Sequence, residues 1–415
     1  MSHLISKKFK YFIFILVLII FNSCGEEIPK YVEVLDVDIN TKKVSYKKKE
    51  VKGIISLSEF ESERFQFLSR AKVSMFLERG TEINEKTATI DEINDATYQD
   101  EGVAPNIRYS VEDDTIIPYT LEDSILLTLQ YNLREAIDFF ISNGLNMEQG
   151  ANGLPYGQIR IFYEMNFEMP NEVQEKEEMK DNAMYYSFLN CLAFLKQDKL
   201  NHLALVSNPM VVTHEFAHSI FAYAAEGVLK GDEIYYDLLP QNCFGVRNDF
   251  YKSAMNEGFS DYWSSRKTGS ADLFYLSVTK HGIGVDKNPI SDRSLDNNRS
   301  LTLDMLLYDN DPNTCQATAQ AKSYYWAGTI WASSMWEAEK TVGIENFDKY
   351  LLKSYSCLHS EFSNYLNAIT LSTPGNCFIK TLKQESDVTQ AQIDAVCTIL
   401  KRRFSLIKGE FNECD

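Results

Sequence analysis

A short apolar segment, Val211–Ile220, contains two histidines and a glutamate, and this combination restricts the chain more than any other feature. On a helix, His214 and His218 stand four residues apart on one face, while Glu215 points about 100° away around the axis. Buried histidines and a buried glutamate are unfavourable unless they are paired or bind a metal. The segment therefore predicts a buried helix with a metal site, in preference to a helix whose histidines are solvated or satisfied within the core.

A second apolar segment, Ala254–Trp263, places two carboxylates four residues apart, at Glu257 and Asp261. Catalytic zinc takes three protein ligands and keeps a fourth position open. Glu257 is expected to complete a site with His214 and His218, and Asp261 to accept the free ring N–H of a liganding histidine. The alternative is an ordinary helix with two exposed acids, but the aromatic residues around them leave little room for solvent.

The segments His214–His218 and Asn256–Asp261 together resemble the gluzincin metallopeptidases of the thermolysin and fungalysin families. The resemblance spans about residues 120–340 and is specific at the two zinc motifs. It implies a Zn²⁺ cofactor, with Glu215 as the general base that takes a proton from water and passes it to the leaving amine. Glu257 would be the third ligand of the ion.

Two further segments resemble the substrate-binding parts of the same families. Asp181–Tyr186 is similar to an edge strand on which Asn182 and the Ala183 backbone would align a peptide. Asp292–Asn297 is similar to a segment whose arginine, here Arg293, would contact a substrate carbonyl. The resemblance thus implies a peptide or protein substrate bound in an extended form.

The segment Ala327–Ser333 resembles a Gly-x-x-Trp-Ala helix of the fungalysin branch, with one departure. Three residues before Gly328, where the family has a histidine that stabilises the oxyanion, this chain has Tyr325. A tyrosine hydroxyl can donate to an oxyanion, and Tyr324 is a second candidate; His281 follows Glu257 too closely to match. Loss of one oxyanion donor typically costs about 10²–10³ in rate, so the change bears on efficiency.

The first hypothesis is therefore an exported zinc metalloendopeptidase that hydrolyses peptide bonds, with Glu215 as general base and Tyr325 at the oxyanion. The alternative is a catalytically weak or inactive zinc-binding surface lipoprotein with a binding or structural role. Retention of Glu215 argues against that alternative, because a structural site needs no base. A zinc hydrolase acting on a non-peptide bond is a third class, without a motif in its favour.

Residues 1–23 are expected to be a lipoprotein signal peptide, with three early lysines and an apolar core at Tyr11–Phe21 that is too short to span a bilayer. Phe21–Gly25 resembles a bacterial lipobox, so Cys24 is expected to be lipidated. The protein would then be anchored in a bacterial cell envelope, in the outer membrane or facing the periplasm, or would be extracellular. An ordinary cleaved signal that leaves Cys24 as a spare thiol is the alternative.

The formal charge of −18 argues against nucleic acid as a partner and against extended contact with anionic lipids. The chain is expected to be monomeric. Seven cysteines follow Cys24 and allow up to three disulfides with one thiol left over. Four of them crowd the C-terminal part, which predicts disulfides there: Cys357, Cys377, Cys397 and Cys414.

The order of the patterns predicts an α+β fold, a two-lobed zincin with the zinc cleft between its lobes. Residues 24–115 would form a tether and a small strand-containing region, and 116–225 a mixed lobe that ends in the HExxH helix. Residues 226–415 would form a mainly helical lobe that carries the third ligand, after an insertion at 226–250.

Local patterns predict individual elements along the chain. A helix is expected from Leu121 to a stop at Asn143-Gly144, a strand at Gln158–Tyr163, a loop at 165–181 and further strands at 182–206. The zinc helix should begin at Pro209, after a cap at Ser207 or Asn208. Helices are expected at Phe347–Tyr355, Ser363–Ile369 and Gln390–Ile407.

Overall fold

The computed structural model describes residues 28–38, 41, 43–58, 60–74, 98–145, 159–170, 176–186, 190–198, 203–226, 243–271, 277, 293–302, 323–363 and 369–415. Within these ranges the fold is α+β, with most strands in the N-terminal half and most helices in the C-terminal half, which confirms the predicted fold class at that level. The predicted signal peptide, Cys24 and His281 lie outside the described residues.

The described strands are β1 Tyr31–Asp38, β2 Lys43–Glu50, β3 Ile54–Ser56, β4 Glu61–Ser62, β5 Phe65–Ser69, β6 Lys72–Ser74, β7 Tyr98–Asp100, β8 Tyr109–Glu112, β9 Thr115–Pro118, β10 Ile159–Pro170, β11 Lys176–Met179, β12 Ala183–Tyr186 and β13 Cys191–Leu195. The described α-helices are α1 Leu121–Ser142, α2 Pro209–Phe221, α3 Cys243–Thr268, α4 Ser323–Val342, α5 Phe347–Lys353, α6 Tyr355–Ser363, α7 Thr373–Leu382 and α8 Gln390–Arg403. A π-helical turn, Ala222–Glu226, continues α2.

The larger sheet has the order β12-β13-β10-β6-β7, and β5 and β11 also pair with β10. The long central strand β10 runs parallel to β5, β6 and β13, whereas β11 and β12 are antiparallel to their neighbours. Strands β5, β6 and β7 precede residue 115, so the region predicted as a tether with a small strand-containing unit contributes directly to this sheet. The proposed boundary at 115/116 separates strands that belong together.

The prediction of a loop at 165–181 is wrong for the residues that the structure describes. Strand β10 extends to Pro170, and β11 pairs with its end. The side chains of Met165 and Phe167 are fully buried, whereas Asn166 and Glu168 are partly exposed. This alternation is the strand pattern, and it had been hidden by the acidic composition of the block.

A smaller sheet of order β2-β1-β9-β8 packs against helix α1, where the Thr128 hydroxyl accepts a hydrogen bond from the Leu35 backbone N–H at 2.9 Å. Helix α1 starts with a capping box in which Thr120 and Asp123 satisfy each other's backbone N–H groups. It ends at Ser142 and is followed by Gly144 at φ +96°, as the Asn-Gly stop predicts. The amide of Asn132 donates to the Ser207 carbonyl and thus links α1 to the start of the zinc-motif helix.

Helix α2 begins at Pro209, and Asn208 is its cap because its side chain accepts from the Met210 N–H at 2.9 Å. All residues from Met210 to Phe221 are buried, as the apolar segment predicts. Helix α3 begins at Cys243, within the stretch predicted as an insertion, and residues 227–242 lie outside the described part. The helical pattern of α3 therefore starts earlier than the sequence reading placed it.

Helices α3 and α4 cross at two glycines with almost no space between their backbones. A Cβ atom added at Gly328 would lie 2.5 Å from the Ala254 carbonyl oxygen, 2.9 Å from Gly258 N and 3.3 Å from the Cβ of Glu257. Atoms that close are in steric conflict, so the crossing tolerates only glycine without a shift of one helix. The crossing lies directly beside the predicted third zinc ligand.

The C-terminal helices are held by disulfides Cys357–Cys377 and Cys397–Cys414, which confirms that the crowded cysteines are linked there. Helices α5 and α8 correspond to predicted segments. The predicted helix at Ser363–Ile369 is not borne out at its ends, since α6 ends at Ser363 and Ile369 is not helical, and 364–368 are outside the described residues. Helix α7 was not predicted. Among the described helices, none is both long and apolar enough to cross a bilayer.

Candidate metal centre

Three side chains from helices α2 and α3 converge on one point. His214 Nε2 and His218 Nε2 are 3.0 Å apart. Glu257 Oε2 lies 3.5 Å from His214 Nε2, and Glu257 Oε1 lies 3.9 Å from His218 Nε2. Zinc holds nitrogen and oxygen ligands at about 2.0–2.2 Å, so the edges of its tetrahedron measure about 3.3–3.6 Å. The observed separations bracket these edges, and the donor set of two imidazoles and a carboxylate fits a zinc ion.

The ring orientation of His214 is fixed from behind by Asp261, which is fully buried. Asp261 Oδ1 lies 3.1 Å from His214 Nδ1. An imidazole whose Nδ1 faces a carboxylate keeps its proton there and turns the Nε2 lone pair toward the metal position. Asp261 thus contacts the ring nitrogen of His214 that faces away from the proposed metal position, as the sequence predicts.

His218 is oriented by two residues of α3 to which the sequence reading assigned no role. Asn256 Oδ1 accepts from His218 Nδ1 at 2.8 Å, and Ser260 Oγ lies 3.0 Å from the same nitrogen. Both belong to the Asn256–Asp261 motif, whose spacing of one helical turn brings their side chains to the same face. That spacing was the available signal.

Arg293 binds the two carboxylates of this face. Its Nη2 lies 2.8 Å from Glu257 Oε2 and 2.5 Å from Asp261 Oδ1, and its Nε lies 3.0 Å from Asp261 Oδ2. Burial alone would raise the pKa of Glu257, but Arg293 and the histidines outweigh it and hold that pKa far below its ordinary value. Glu257 is therefore anionic, as a carboxylate ligand has to be. The guanidinium is engaged by protein carboxylates, and its contact with a substrate stays a prediction.

The same carboxylates shift the pKa of the buried His214. Burial lowers the pKa of His214, but its hydrogen bonds with Asp261 and Glu257 prevail and raise the pKa to about 9. A group of buried carboxylates that binds a proton this firmly is also a favourable environment for a cation. The electrostatics of the cluster agree with its geometry.

Glu215 lies beside the histidines but points in another direction around the helix. Its side chain is only 6% exposed, and one of its oxygens is within 4.8 Å of a ring nitrogen of each histidine. Helix α2 sets this position, because consecutive residues are rotated by about 100°. A carboxylate at this place can exchange a proton with water bound near the histidines.

Tyr325 lies near Arg293, at the start of helix α4. The Arg293 guanidinium carbon is 5.1 Å from the centroid of the Tyr325 ring, and the rings of Tyr324 and Tyr325 are 4.2 Å apart. Burial, followed by the charge of Glu257, raises the pKa of Tyr325 well above its ordinary value. The hydroxyl therefore keeps its proton and can donate it in a hydrogen bond.

Asn182 and Ala183 lie at the start of β12, an outer strand of the larger sheet that packs against α2. The Asn182 side-chain oxygen accepts from the Ala183 N–H at 3.0 Å, and the Asn182 carbonyl accepts from the Leu195 N–H at 3.0 Å. Asn182 is exposed and Ala183 is buried. The structure thus places both residues on a sheet edge next to the helix that carries the two histidines.

A scan against protein-family models and a search of curated proteins find no match to this chain.

Proposed function

We propose that the protein is a zinc-dependent metallopeptidase of the gluzincin type, with the cleft between a strand-containing and a helical lobe. The observation that carries this proposal is the convergence of His214 Nε2, His218 Nε2 and the Glu257 carboxylate within 3.0–3.9 Å, with Glu215 buried beside them. A purely structural zinc site has four protein ligands and needs no adjacent carboxylate base. Among the residues that the structure describes, three ligand side chains converge with a neighbouring glutamate, and this set favours catalysis.

In this proposal His214, His218 and Glu257 hold the ion, which when bound lowers the pKa of water and polarises the scissile carbonyl. Glu215 accepts the proton of the attacking water and delivers it to the leaving nitrogen. Asp261 keeps the ring of His214 in its liganding tautomer. Arg293 holds the two carboxylates of α3 in place.

Tyr325 and strand β12 act on the substrate. Tyr325 donates a hydrogen bond from its hydroxyl to the oxygen that gains charge as the carbonyl is attacked, in place of the family histidine, and keeps its proton. The β12 backbone from Ala183 onward binds the peptide as an added strand, and the peptide takes the place of the Asn182 side chain as the partner of the Ala183 N–H.

The proposal includes export and a lipid anchor at Cys24. The two disulfides in the C-terminal helices support export, since disulfides persist in oxidising compartments. The N-terminal pattern supports the anchor. Mass spectrometry of the envelope fraction, with and without Cys24→Ala, measures whether the mature chain begins with a lipidated cysteine.

The enzymatic proposal is tested with the chain from Gly25 onward and its variant Glu215→Gln. We expect bound zinc in both proteins, measured by elemental analysis. Chelator-sensitive cleavage of a denatured protein is expected only in the unmodified chain, because the amide cannot take up the proton of water. The variant is a close control because the amide has the shape of the carboxylate.

Three other outcomes contradict parts of the proposal. Zinc in both proteins with cleavage by neither favours a zinc-binding surface lipoprotein with a binding or structural role. Equal cleavage by both proteins removes Glu215 as the base. A chain without zinc removes the ligand assignment of His214, His218 and Glu257.

A further inference from the structure

Three polar side chains connect strand β12 to the end of the zinc-motif helix. Tyr223, in the π-helical turn after α2, donates to Asn190 Oδ1 at 2.6 Å. Tyr185, on β12, directs its hydroxyl to the same oxygen at 3.5 Å. Asn190 stands immediately before β13, the strand that pairs with β12. One amide oxygen therefore joins the helix, the edge strand and the strand behind it.

The position of Asn190 depends on its residue type. Its φ of +45° lies in the left-handed region, which asparagine adopts more readily than most residues. The same residue supplies the acceptor for both tyrosines. A turn alone would require only the backbone conformation, as glycine provides it, so the side chain adds a separate contribution.

Both tyrosines are suited to be donors. Tyr223 is buried and Tyr185 is partly buried, and burial raises the pKa of both hydroxyls, that of Tyr223 to about 12. Each hydroxyl therefore keeps its proton. Asn190 itself is partly exposed, and its amide oxygen loses a hydrogen bond from a buried hydroxyl when Tyr223 is replaced. We name Tyr185, Asn190 and Tyr223 the tyrosine–asparagine clamp.

The clamp acts on a short strand at the edge of the sheet, which also packs against α2. Strand β12 has four residues and pairs only with β13 among the described strands. Antiparallel ladders alternate between hydrogen-bonded and non-bonded pairs. Because the Leu195 N–H bonds to the Asn182 carbonyl, the backbone groups of Ala183 and Tyr185 are expected to face the open edge. Short edge strands fray unless side chains fix them.

We propose that Asn190 is a positioning residue that fixes the edge strand β12 relative to the zinc-motif helix and thereby sets how well an extended peptide binds. This inference rests on the proposed peptidase function. The clamp fixes Tyr185 at the end of the strand to the turn that follows His218. A peptide added along β12 then meets the metal site in a constant register, without ordering the strand first.

The test uses the chain from Gly25 onward with Tyr223→Phe or Asn190→Gly. Tyr223→Phe removes one hydroxyl, and Asn190→Gly removes the amide while it still permits the positive φ. Tyr350→Phe is the matched control, because it removes a tyrosine hydroxyl that binds Asp387 among the C-terminal helices. Zinc content and melting temperature are measured for every protein to identify variants that fail to fold.

The first readout is amide hydrogen exchange in residues 181–186. We expect exchange to accelerate by about 10-fold or more in both clamp variants and to stay unchanged in the control. The second readout compares a long unfolded peptide with a blocked dipeptide. We expect KM for the long peptide to rise by about 5- to 30-fold, with kcat nearly unchanged and no effect on the dipeptide.

Each result bears on the clamp. Unchanged exchange in residues 181–186 overturns it, and so does faster exchange with an unchanged KM for the long peptide. A fall in kcat with both substrates overturns the positioning role in favour of general damage to the site. If the unmodified chain binds zinc but cleaves nothing, the peptidase proposal fails, while the exchange measurement still decides whether Asn190 fixes the strand.

Discussion

The glycine crossing of α3 and α4 offers a direct test of how Glu257, the proposed third zinc ligand, is held in place. We consider Gly328→Ala. The added methyl carbon would lie 2.5 Å from the Ala254 carbonyl oxygen and 2.9 Å from Gly258 N, both backbone atoms that cannot rotate away. It would also lie 3.3 Å from the Cβ of Glu257. The substitution therefore pushes on the helix at the ligand itself.

The magnitude follows from opposing effects. Contacts under 3.0 Å must open, so the helices have to separate by at least about 0.5 Å. Overpacking of this kind costs about 1–3 kcal/mol, with backbone contacts near the upper end, and alanine regains about 1 kcal/mol of helix propensity. The expected net loss is about 2 kcal/mol. Displacement of Glu257 from the histidines is expected to weaken zinc binding about 10- to 100-fold, as disturbed ligand supports do.

The assay combines thermal unfolding with zinc competition against a chromophoric chelator. Gly409→Ala is the matched control, because a Cβ there meets nothing within 4 Å and its φ is not in the left-handed region. We expect the control to match the unmodified chain in both measurements. Unchanged zinc affinity and unchanged melting in Gly328→Ala would refute the claim that this crossing positions the ligand.

Three further predictions concern other residues. Tyr325→Phe is expected to lower kcat by about 10²–10³ with unchanged zinc content, and unchanged peptide turnover would remove its role at the oxyanion. The pKa of Glu337 would be raised by burial, but Arg403 and Arg402 bind it and lower the pKa below its ordinary 4.5; its stabilisation is therefore complete above that pH and is lost as the pH falls below it. Glu337→Gln should lower the free energy of unfolding by about 1–2 kcal/mol at pH 7 and flatten its dependence on pH in acid, which urea titrations at several pH values measure. The Cys357–Cys377 disulfide joins residues that are 20 positions apart in the sequence. Replacing both cysteines by serine should lower the free energy of unfolding by about 3 kcal/mol, and an unchanged urea midpoint would contradict this.

The parts of the centre that follow from local spacing could be predicted from the sequence. His214 and His218 share a face because they are one helical turn apart. Pro209 limited the cap of their helix to Ser207 or Asn208, and the structure has Asn208 in that role. Strand β12 is present where the edge-strand resemblance expected it. In each case, neighbouring residues contain the information.

Contacts between distant segments were not predictable in this way. The sequence indicates a role for Arg293 but not that its guanidinium binds Glu257 and Asp261, since these partners come from another segment. The hydrogen bonds that Asn190 accepts from Tyr185 and Tyr223 also join segments whose proximity is seen only in the folded chain. The extension of β10 was missed for another reason: the acidic composition of the block 165–181 concealed the alternation of buried Met165 and Phe167 with partly exposed Asn166 and Glu168.

The parallel pairing of β5 with β10 has a consequence for how the chain reaches this fold. Phe65 pairs with Ile159, so about 95 residues must be synthesised before the first strand meets its partner. Synthesis of these residues at about 5–20 residues per second takes about 5–20 s. During that time Phe65 and Phe67 of β5, which are buried in the folded protein, stay exposed to solvent. Folding of the larger sheet is therefore slow and prone to aggregation compared with the locally connected C-terminal helices. Truncation from the N-terminus past residue 74 would leave β10 without two parallel neighbours.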